Sequence, residues 1–573
     1  MRRLQCASIM VLGVAAMLSG SVVAAPTNAL LTIGLSQEPD TLNPVISSMS
    51  AAETVRDSAL WPIVALNETF HWQCYLCVSI PTIANGGARV VQEGGKKKLL
   101  VTWEIRPDAV WGDGQPVTGE DMRLAWRIGT ASTVTKGAPA AFDGVEAVTV
   151  DGHNPRRFTL KYKELRYDYS ELDKSFVPIP SHIEGPIFER TKGEMGAYEK
   201  QTKYVTDPTN PGLWDGPYRV LEARPGSHVL VIRNERFAAG KPATIRKILF
   251  KIIPNTQALE ANLAAGTIDM VGGVGMTLDQ ALVFQKRIDK DSSLKRRFRV
   301  VFLDDLIFEH IDFNLDDPVM ADLAVRQALT LATDRERMGQ ALFDGKLQPA
   351  AHPYHPMSPY FVDASAAYPY NPVKAKALLE ADGWKKGTDG IRIKGNRRLT
   401  LTLGSTAQNK MRELVGVFLQ QAWREIGVDL RLKNEPARVF FGQSLRHRKY
   451  GQMAMYANTL ASPDDIEYDL YASSQIPTAR NAYAGSNYAA WSNAKVDDLL
   501  HRAAGELDGK KRAALIHRVI AAYLADLPQL PLYNRTAVQV VPTTLVPHQL
   551  DGVNYPVELK ANLWSIDPKV AHR

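Results

Sequence analysis

The sequence predicts an α/β protein of more than one lobe, on three observations. Short apolar, strand-like runs are interleaved with amphipathic helix-like stretches, with some hairpins among them. The 573 residues exceed what one hydrophobic core normally serves, so at least two lobes are expected. No repeat of solenoid period and no low-complexity tract breaks the alternation.

The chain opens on a secretory leader. Arg2 and Arg3 form a basic start, residues 9–18 an apolar run, and Val22-Val23-Ala24 a small-residue cleavage site near Ala24 or Ala25. The run is too short to span a bilayer, and no later segment is long and apolar enough to do so. Cys6 precedes the apolar run, so this is not a lipoprotein cleavage box. Removing Arg2 and Arg3 from 68 Lys plus Arg leaves 66 against 61 Asp plus Glu, a mature charge of +5. That balance is mild, and Lys96-Lys97-Lys98 and Lys295-Arg296-Arg297 have no interleaved aromatics, so no nucleic-acid surface is expected.

The elements follow in order. Residues 30–35 read as a strand, followed by the turn-rich Glu38-Pro39-Asp40-Thr41-Leu42-Asn43-Pro44. Residues 99–105 alternate as a strand, Trp111 to Pro116 make a tight turn, and Thr118 with Asp121 caps a helix that buries Met122, Ala125 and Trp126. Gly216-Pro217-Tyr218 enters a strand that turns at Pro225-Gly226 and returns over 229–232. A helix over 259–265 is stopped by Gly266, and a strand follows over 268–271. Residues 312–338 read as strand, acidic turn and helix; Val325, Ala328, Leu329 and Ala332 form the apolar face, with Arg326, Gln327 and Arg335 off it. Asn371-Pro372 starts a helix carrying Ala375, Leu378 and Leu379, which Gly383 ends. Another helix, carrying Leu414, Val417 and Phe418, ends at Gly427, and Val428, Leu430 and Leu432 alternate beyond it.

Catalytic patterns are sparse. There is no G-x-S-x-G, no H-E-x-x-H and no phosphate-binding G-x-x-x-x-G-K. Ser292 and Lys295 match S-x-x-K without its companion motifs, so an exported serine hydrolase is a distant alternative. Asp464, Asp465, Glu467 and Asp469 lack the glycine and terminal glutamate of a calcium loop and read as a solvated helix start after Pro463. Cys74 and Cys77 survive processing, and in an oxidising compartment they read as a small loop-closing disulfide or a pair of buried thiols. A zinc or redox site using His71 is the alternative, though a fourth zinc ligand and a helix N-terminus are both missing. No metal and no cofactor is expected.

Several phrases, taken together and in order, resemble one family. These are the opening strand with Pro39 to Pro44, W-x-D-G-x-P-V-T-x-E-D from Trp111, D-G-P-Y at Asp215, G-x-I-D at Gly266, V-R-Q-A-L with A-T-D-R between Val325 and Arg335, and L-P-Q-L-P-L-Y from Leu527. The chain is thereby similar to the extracytoplasmic solute-binding proteins of ABC importers, family 5, the dipeptide, oligopeptide and nickel type. The resemblance implies a two-lobed periplasmic binding protein fold with a hinge and a small inserted domain. After the leader at 1–25, lobe I would comprise 26–75, 215–300 and 515–573, the inserted domain 76–214, and lobe II 301–514.

It further implies a non-enzymatic, monomeric periplasmic receptor. Such a receptor captures peptides by hinge closure and hands them to an inner-membrane ABC permease; a nickel chelate, a modified peptide or an oligosaccharide is the alternative ligand. Ser48, Met49 and Ser50 would lie at the cleft floor, and Tyr456, Ala457, Asn458 and Thr459 would form the ligand-binding strand. Peptide-binding relatives place W-x-x-D there, the aspartate pairing with the ligand's α-ammonium. Here Tyr456 replaces the tryptophan and Thr459 the acid. Either another acid serves, with Asp464 and Asp465 nearest in sequence, or the ligand differs. Lys410 and Arg412 would lie near the ligand carboxylate.

Overall fold

The computed structural model describes residues 26–547 apart from 461 and 482, together with 552–553 and 557–570. The leader expected at 1–25 lies outside the described residues. Among those described, the central sheet has twelve strands. Ten follow one another across it in the order Asp429–Glu435, Thr400–Thr406, Met453–Thr459, Phe298–Phe313, Gln529–Pro542, Met270–Val271, Leu31–Leu35, Lys247–Ile252, His228–Arg233 and Tyr218–Arg224.

The fold is two-lobed, and the long strand Phe298–Phe313 lies inside the sheet between Met453–Thr459 and Gln529–Pro542. It gives Val301, Leu303 and Leu306 to one apolar core and Phe298, Ile311 and Phe313 to another. Its antiparallel partner Gln529–Pro542 slips register between Asp304 and Phe308 and again between Glu309 and His310. Such irregularities bend a strand pair and increase its twist. Toward one end of the sheet Leu31–Leu35 lies parallel to both Lys247–Ile252 and Met270–Val271. Toward the other, Thr400–Thr406 lies parallel to Asp429–Glu435 and Met453–Thr459.

A separate sheet of Ala88–Glu93, Lys96–Glu104, Arg157–Tyr162 and Val145–Val150 carries helix Gly119–Thr130, whose Thr118–Asp121 capping box forms as expected. Its buried Trp103, Phe158 and Leu160 belong to the same core as Leu31 and Ile33. Helix Thr256–Ala265 ends at Gly266 in the left-handed conformation, at φ +70°.

Two sequence expectations fail on side-chain direction. Residues 312–338 form a strand end and two helices, Leu323–Leu331 and Arg335–Phe343, and Arg326 is buried. Its guanidinium donates to the carbonyls of Met320 at 2.5 Å, Asp526 at 2.6 Å and Leu527 at 3.0 Å, which lets an arginine share an apolar face. Helix Lys410–Arg424 buries Arg412, Val415, Gly416, Leu419 and Trp423 and leaves Val417 59% exposed. Arg412 sets that phase through an ion pair described below, and Trp423 fixes it with an Nε1 bond to Thr333 Oγ1 at 3.1 Å.

Cys74 and Cys77 are disulfide-bonded at the end of the hairpin Val64–Leu66/Trp72–Cys74. The cysteines are only three residues apart in sequence, so chain entropy gives the bond little leverage. Cys74→Ser/Cys77→Ser should therefore cost about 2 kcal/mol or less. Urea unfolding of the double variant, with peptide titration of the folded protein, checks this and the expectation that the pair is dispensable for binding.

Candidate functional site

The site follows from one strand edge. Strand Met453–Thr459 pairs antiparallel with Phe298–Phe313, from Phe313↔Met453 to Ile307↔Thr459. The amides of Leu460 and Asn314 donate to Leu306 and Gln452 in the same register, at 2.8 and 2.9 Å. Antiparallel bonding alternates, so residues 454, 456 and 458 spend their main chain on Phe298–Phe313. The main chains of Met455, Ala457 and Thr459 face the other way.

On that other side Thr400–Thr406 pairs only with Met453 and Ala454, and Ser405 Oγ donates to the Met455 carbonyl at 3.0 Å. No described residue hydrogen-bonds the main chain of Ala457 or Thr459 from there. The strand thus ends in a two-residue open edge. Ala457 and Asn458 are half-buried and Thr459 is exposed; Asn458 Nδ2 is buried without a partner. An unpaired edge lined by a spare amide can accept another strand, and N–H and C=O groups of any sequence satisfy it.

Tyr456 belongs to the wall behind this edge. It is 2% exposed, and its hydroxyl donates to Asp312 Oδ2 at 2.6 Å. Gln529 Nε2 donates to the other oxygen of Asp312 at 2.7 Å, and Tyr471 and Tyr523 donate to Gln529 Oε1 at 3.0 and 3.2 Å. This closed network holds the tyrosine in place and leaves its hydroxyl nothing to offer a ligand.

Glu309, directly opposite Ala457, is fully buried and faces two guanidiniums. Arg412 Nε lies 2.6 Å from its Oε1, and Arg535 donates to its Oε2 at 2.5 and 2.8 Å. Arg412 also donates to Thr406 Oγ1 at 2.9 Å. Burial alone would raise the Glu309 carboxyl, but the charges of Arg535 and Arg412 hold it below the ordinary glutamate value. Two cations thus face this anion beside the open edge, and the Asp305 charge also acts on Arg535. Arg412 is spent on the interior, whereas the Arg535 side chain is 26% exposed and is the accessible member.

The remaining expected residues have these surroundings. Ser48 and Ser50 are exposed at the start of helix Ser50–Asp57, with Met49 half-buried as its N-cap. The Ser48 hydroxyl is committed to the Gly137 carbonyl at 3.0 Å. Lys410 is an exposed helix-start residue 4.0 Å from Glu413.

Asp464 and Asp465 do not start a solvated helix. They face the segment 167–171, with Ser462 Oγ donating to Asp464 at 2.8 Å and the Ile466 amide to the Tyr167 hydroxyl at 3.4 Å. Glu171 shares a hydrogen bond with Asp464, and burial followed by that charge raises its carboxyl well above the ordinary value. These acids are engaged between protein segments. Among the described residues, no group of three or more His, Cys, Asp or Glu is placed to hold a metal ion, and no helix is long and apolar enough to cross a membrane.

Residues 95–477 match the family described as bacterial extracellular solute-binding proteins, family 5 middle region. The oligopeptide-binding protein AppA of Bacillus subtilis is 25% identical over 547 residues, 94% of this chain and 90% of its own. The Thermus thermophilus oligopeptide-binding protein, solved with a pentapeptide, superposes with a TM-score of 0.69 at 28% identity, covering 94% of this chain and 96% of that one. NikZ of Campylobacter jejuni, solved with Ni(L-His), shares the fold with a TM-score of 0.69 at 20% identity, covering 94% and 100%.

Proposed function

Because the chain belongs to the family 5 bacterial extracellular solute-binding proteins, we propose that it is the periplasmic, peptide-binding receptor of an ABC importer. The observation that carries this reading is the open edge at Ala457 and Thr459, where a peptide main chain adds as a further strand. Relatives named or solved as oligopeptide-binding proteins support it. Arg535, the partly exposed cation on Glu309, receives the ligand's carboxylate. Closure follows from contacts that exist only when both lobes meet the ligand. The receptor acts as a monomer, without catalysis, and passes its ligand to an inner-membrane permease.

We place lobe I at 26–75 and 215–300, the inserted domain at 76–214, and lobe II from 301. The last boundary is set after Asp526 rather than at 515, because Gly509–Asp526 is one helix packed against Ala494–Ala504.

A ligand that binds only the folded form stabilises it by RT ln(1 + [L]/Kd), about 2.7 kcal/mol at a hundredfold excess. Thermal unfolding with alanine peptides of three to five residues, Ni–histidine and oligosaccharides should show a raised midpoint for the peptides. A rise with sugars or the nickel chelate alone overturns the peptide reading.

A further inference from the structure

Residues 163–171, placed above in the inserted domain, leave strand Arg157–Tyr162 and reach elements placed in lobe II. The segment is first fixed on its own side. The Lys163 amide donates to the Gly144 carbonyl at 3.0 Å, and the Tyr169 hydroxyl accepts from the Ile83 amide at 3.3 Å. Tyr169 and Leu172 are buried in the core that also holds Leu31 and Trp103. Arg166 Nε donates to Asp168 at 2.6 Å, and its guanidinium lies 5.1 Å from the Tyr162 ring centre. A segment anchored in this way can hold out one side chain in a set direction, and that side chain is Tyr167.

Tyr167 packs on a different core, the one built from Tyr354, Tyr360, Trp491, Leu499 and Ile520. Its amide donates at 3.0 Å to the carbonyl of Ala504, the last residue of helix Ala494–Ala504, where carbonyls are out of reach of any helical amide. Its hydroxyl accepts from the Ile466 amide at 3.4 Å, and the Arg512 guanidinium lies 5.1 Å from its ring centre. Arg512 is held in turn by the Tyr360 hydroxyl at 2.6 Å and the Glu506 carbonyl at 2.9 Å. The exchange is mutual, because Leu507, in the loop after Ala504, packs against the core of Leu31 and Trp103.

This junction is built to part. Leu165, Tyr167, Ala504 and Leu507 are all half-buried. A helix-end carbonyl, a loop amide and a phenol each find water when the two sides separate, so breaking these bonds costs little net free energy. Small, polar contacts between domains permit relative motion.

We propose that Tyr167 is a closure latch: its contacts with Ala504, Ile466 and Arg512 form when the lobes close on a ligand and break when they open. It rests on the hinge-closing receptor reading and goes beyond it, giving the inserted domain a part in binding. A receptor that holds ligand only when closed binds with an affinity scaled by the fraction closed. The latch raises that fraction, so it strengthens every ligand by the same factor, whatever the ligand's end groups.

A Cβ built on Gly505 lies 3.9 Å from Leu165 Cβ, within the roughly 3.5–4.5 Å that a disulfide spans, so Leu165→Cys/Gly505→Cys staples the junction on oxidation. With the mature protein, the association rate of penta-alanine should fall by about a hundredfold or more in the oxidised variant and recover on reduction, since a cleft held shut admits no ligand. Wild type given the same reductant corrects for Cys74–Cys77. Equal rates in the two redox states would mean that the junction stays shut throughout binding, and would overturn the latch. Tyr167→Ala needs no new bond. It should weaken penta-alanine and its C-terminal amide by one common factor, about fivefold or more, as the closed fraction falls. A lowered thermal midpoint with both affinities unchanged would make Tyr167 a fixed packing residue and overturn the latch as well. If penta-alanine does not bind the wild type, the peptide reading falls by itself, and small-angle scattering of the ligand-free proteins decides the latch. A radius of gyration larger in Tyr167→Ala than in the oxidised staple upholds it, and equal radii overturn it.

Discussion

Glu309→Ala should destabilise the protein by about 3–5 kcal/mol, the range for a buried ion network that loses its compensating partner. The carboxylate is fully buried and is the shared anion of Arg412 and Arg535, so its removal leaves two guanidiniums facing one another in the interior. Arg535→Met should cost much less stability, because a neutral Arg412–Glu309 pair remains. The same substitution removes the accessible positive charge and should weaken peptides with a free carboxylate more than their amides. Urea unfolding midpoints of the two variants, compared at equal m-values, check the order. Equal losses would mean that the Arg412–Glu309 pair does not hold without Arg535.

Much of the fold was legible because its signals are local. The capping box at Thr118 and Asp121, the glycine after helix Thr256–Ala265 and the Asn371-Pro372 start all appear where the residues placed them. Side-chain direction was less legible. Periodicity counts an arginine as polar, but Arg326 and Arg412 are buried because carbonyls or a carboxylate from distant segments reach them. No local window contains Leu527 or Glu309, so the helix phase at Lys410–Arg424 could not be read from its apolar residues alone.

The site divides in the same way. Ala457 to Thr459 were expected at the site from the family resemblance, but whether their main chain is free depends on where Thr400–Thr406 stops pairing, which is tertiary information. Tyr456 looked like a contact and is a wall residue, since its partner Asp312 lies 144 positions away. Glu309 did leave a trace in the sequence: a charged residue within the apolar strand before Ile311 must be paired or exposed.

Main-chain recognition at Ala457 and Thr459 makes the most direct demand on experiment. A strand added to this edge points every second amide toward the protein and the others away. Methylating one amide nitrogen of penta-alanine at a time removes one donor without changing charge. An amide facing the edge should then cost about 1–3 kcal/mol, because a protein carbonyl is left unpaired in a desolvated cleft. Its neighbours should cost little. Calorimetry of the singly N-methylated peptides should therefore give losses that alternate along the chain. A uniform loss, or none at any position, would contradict recognition of the ligand as an added strand.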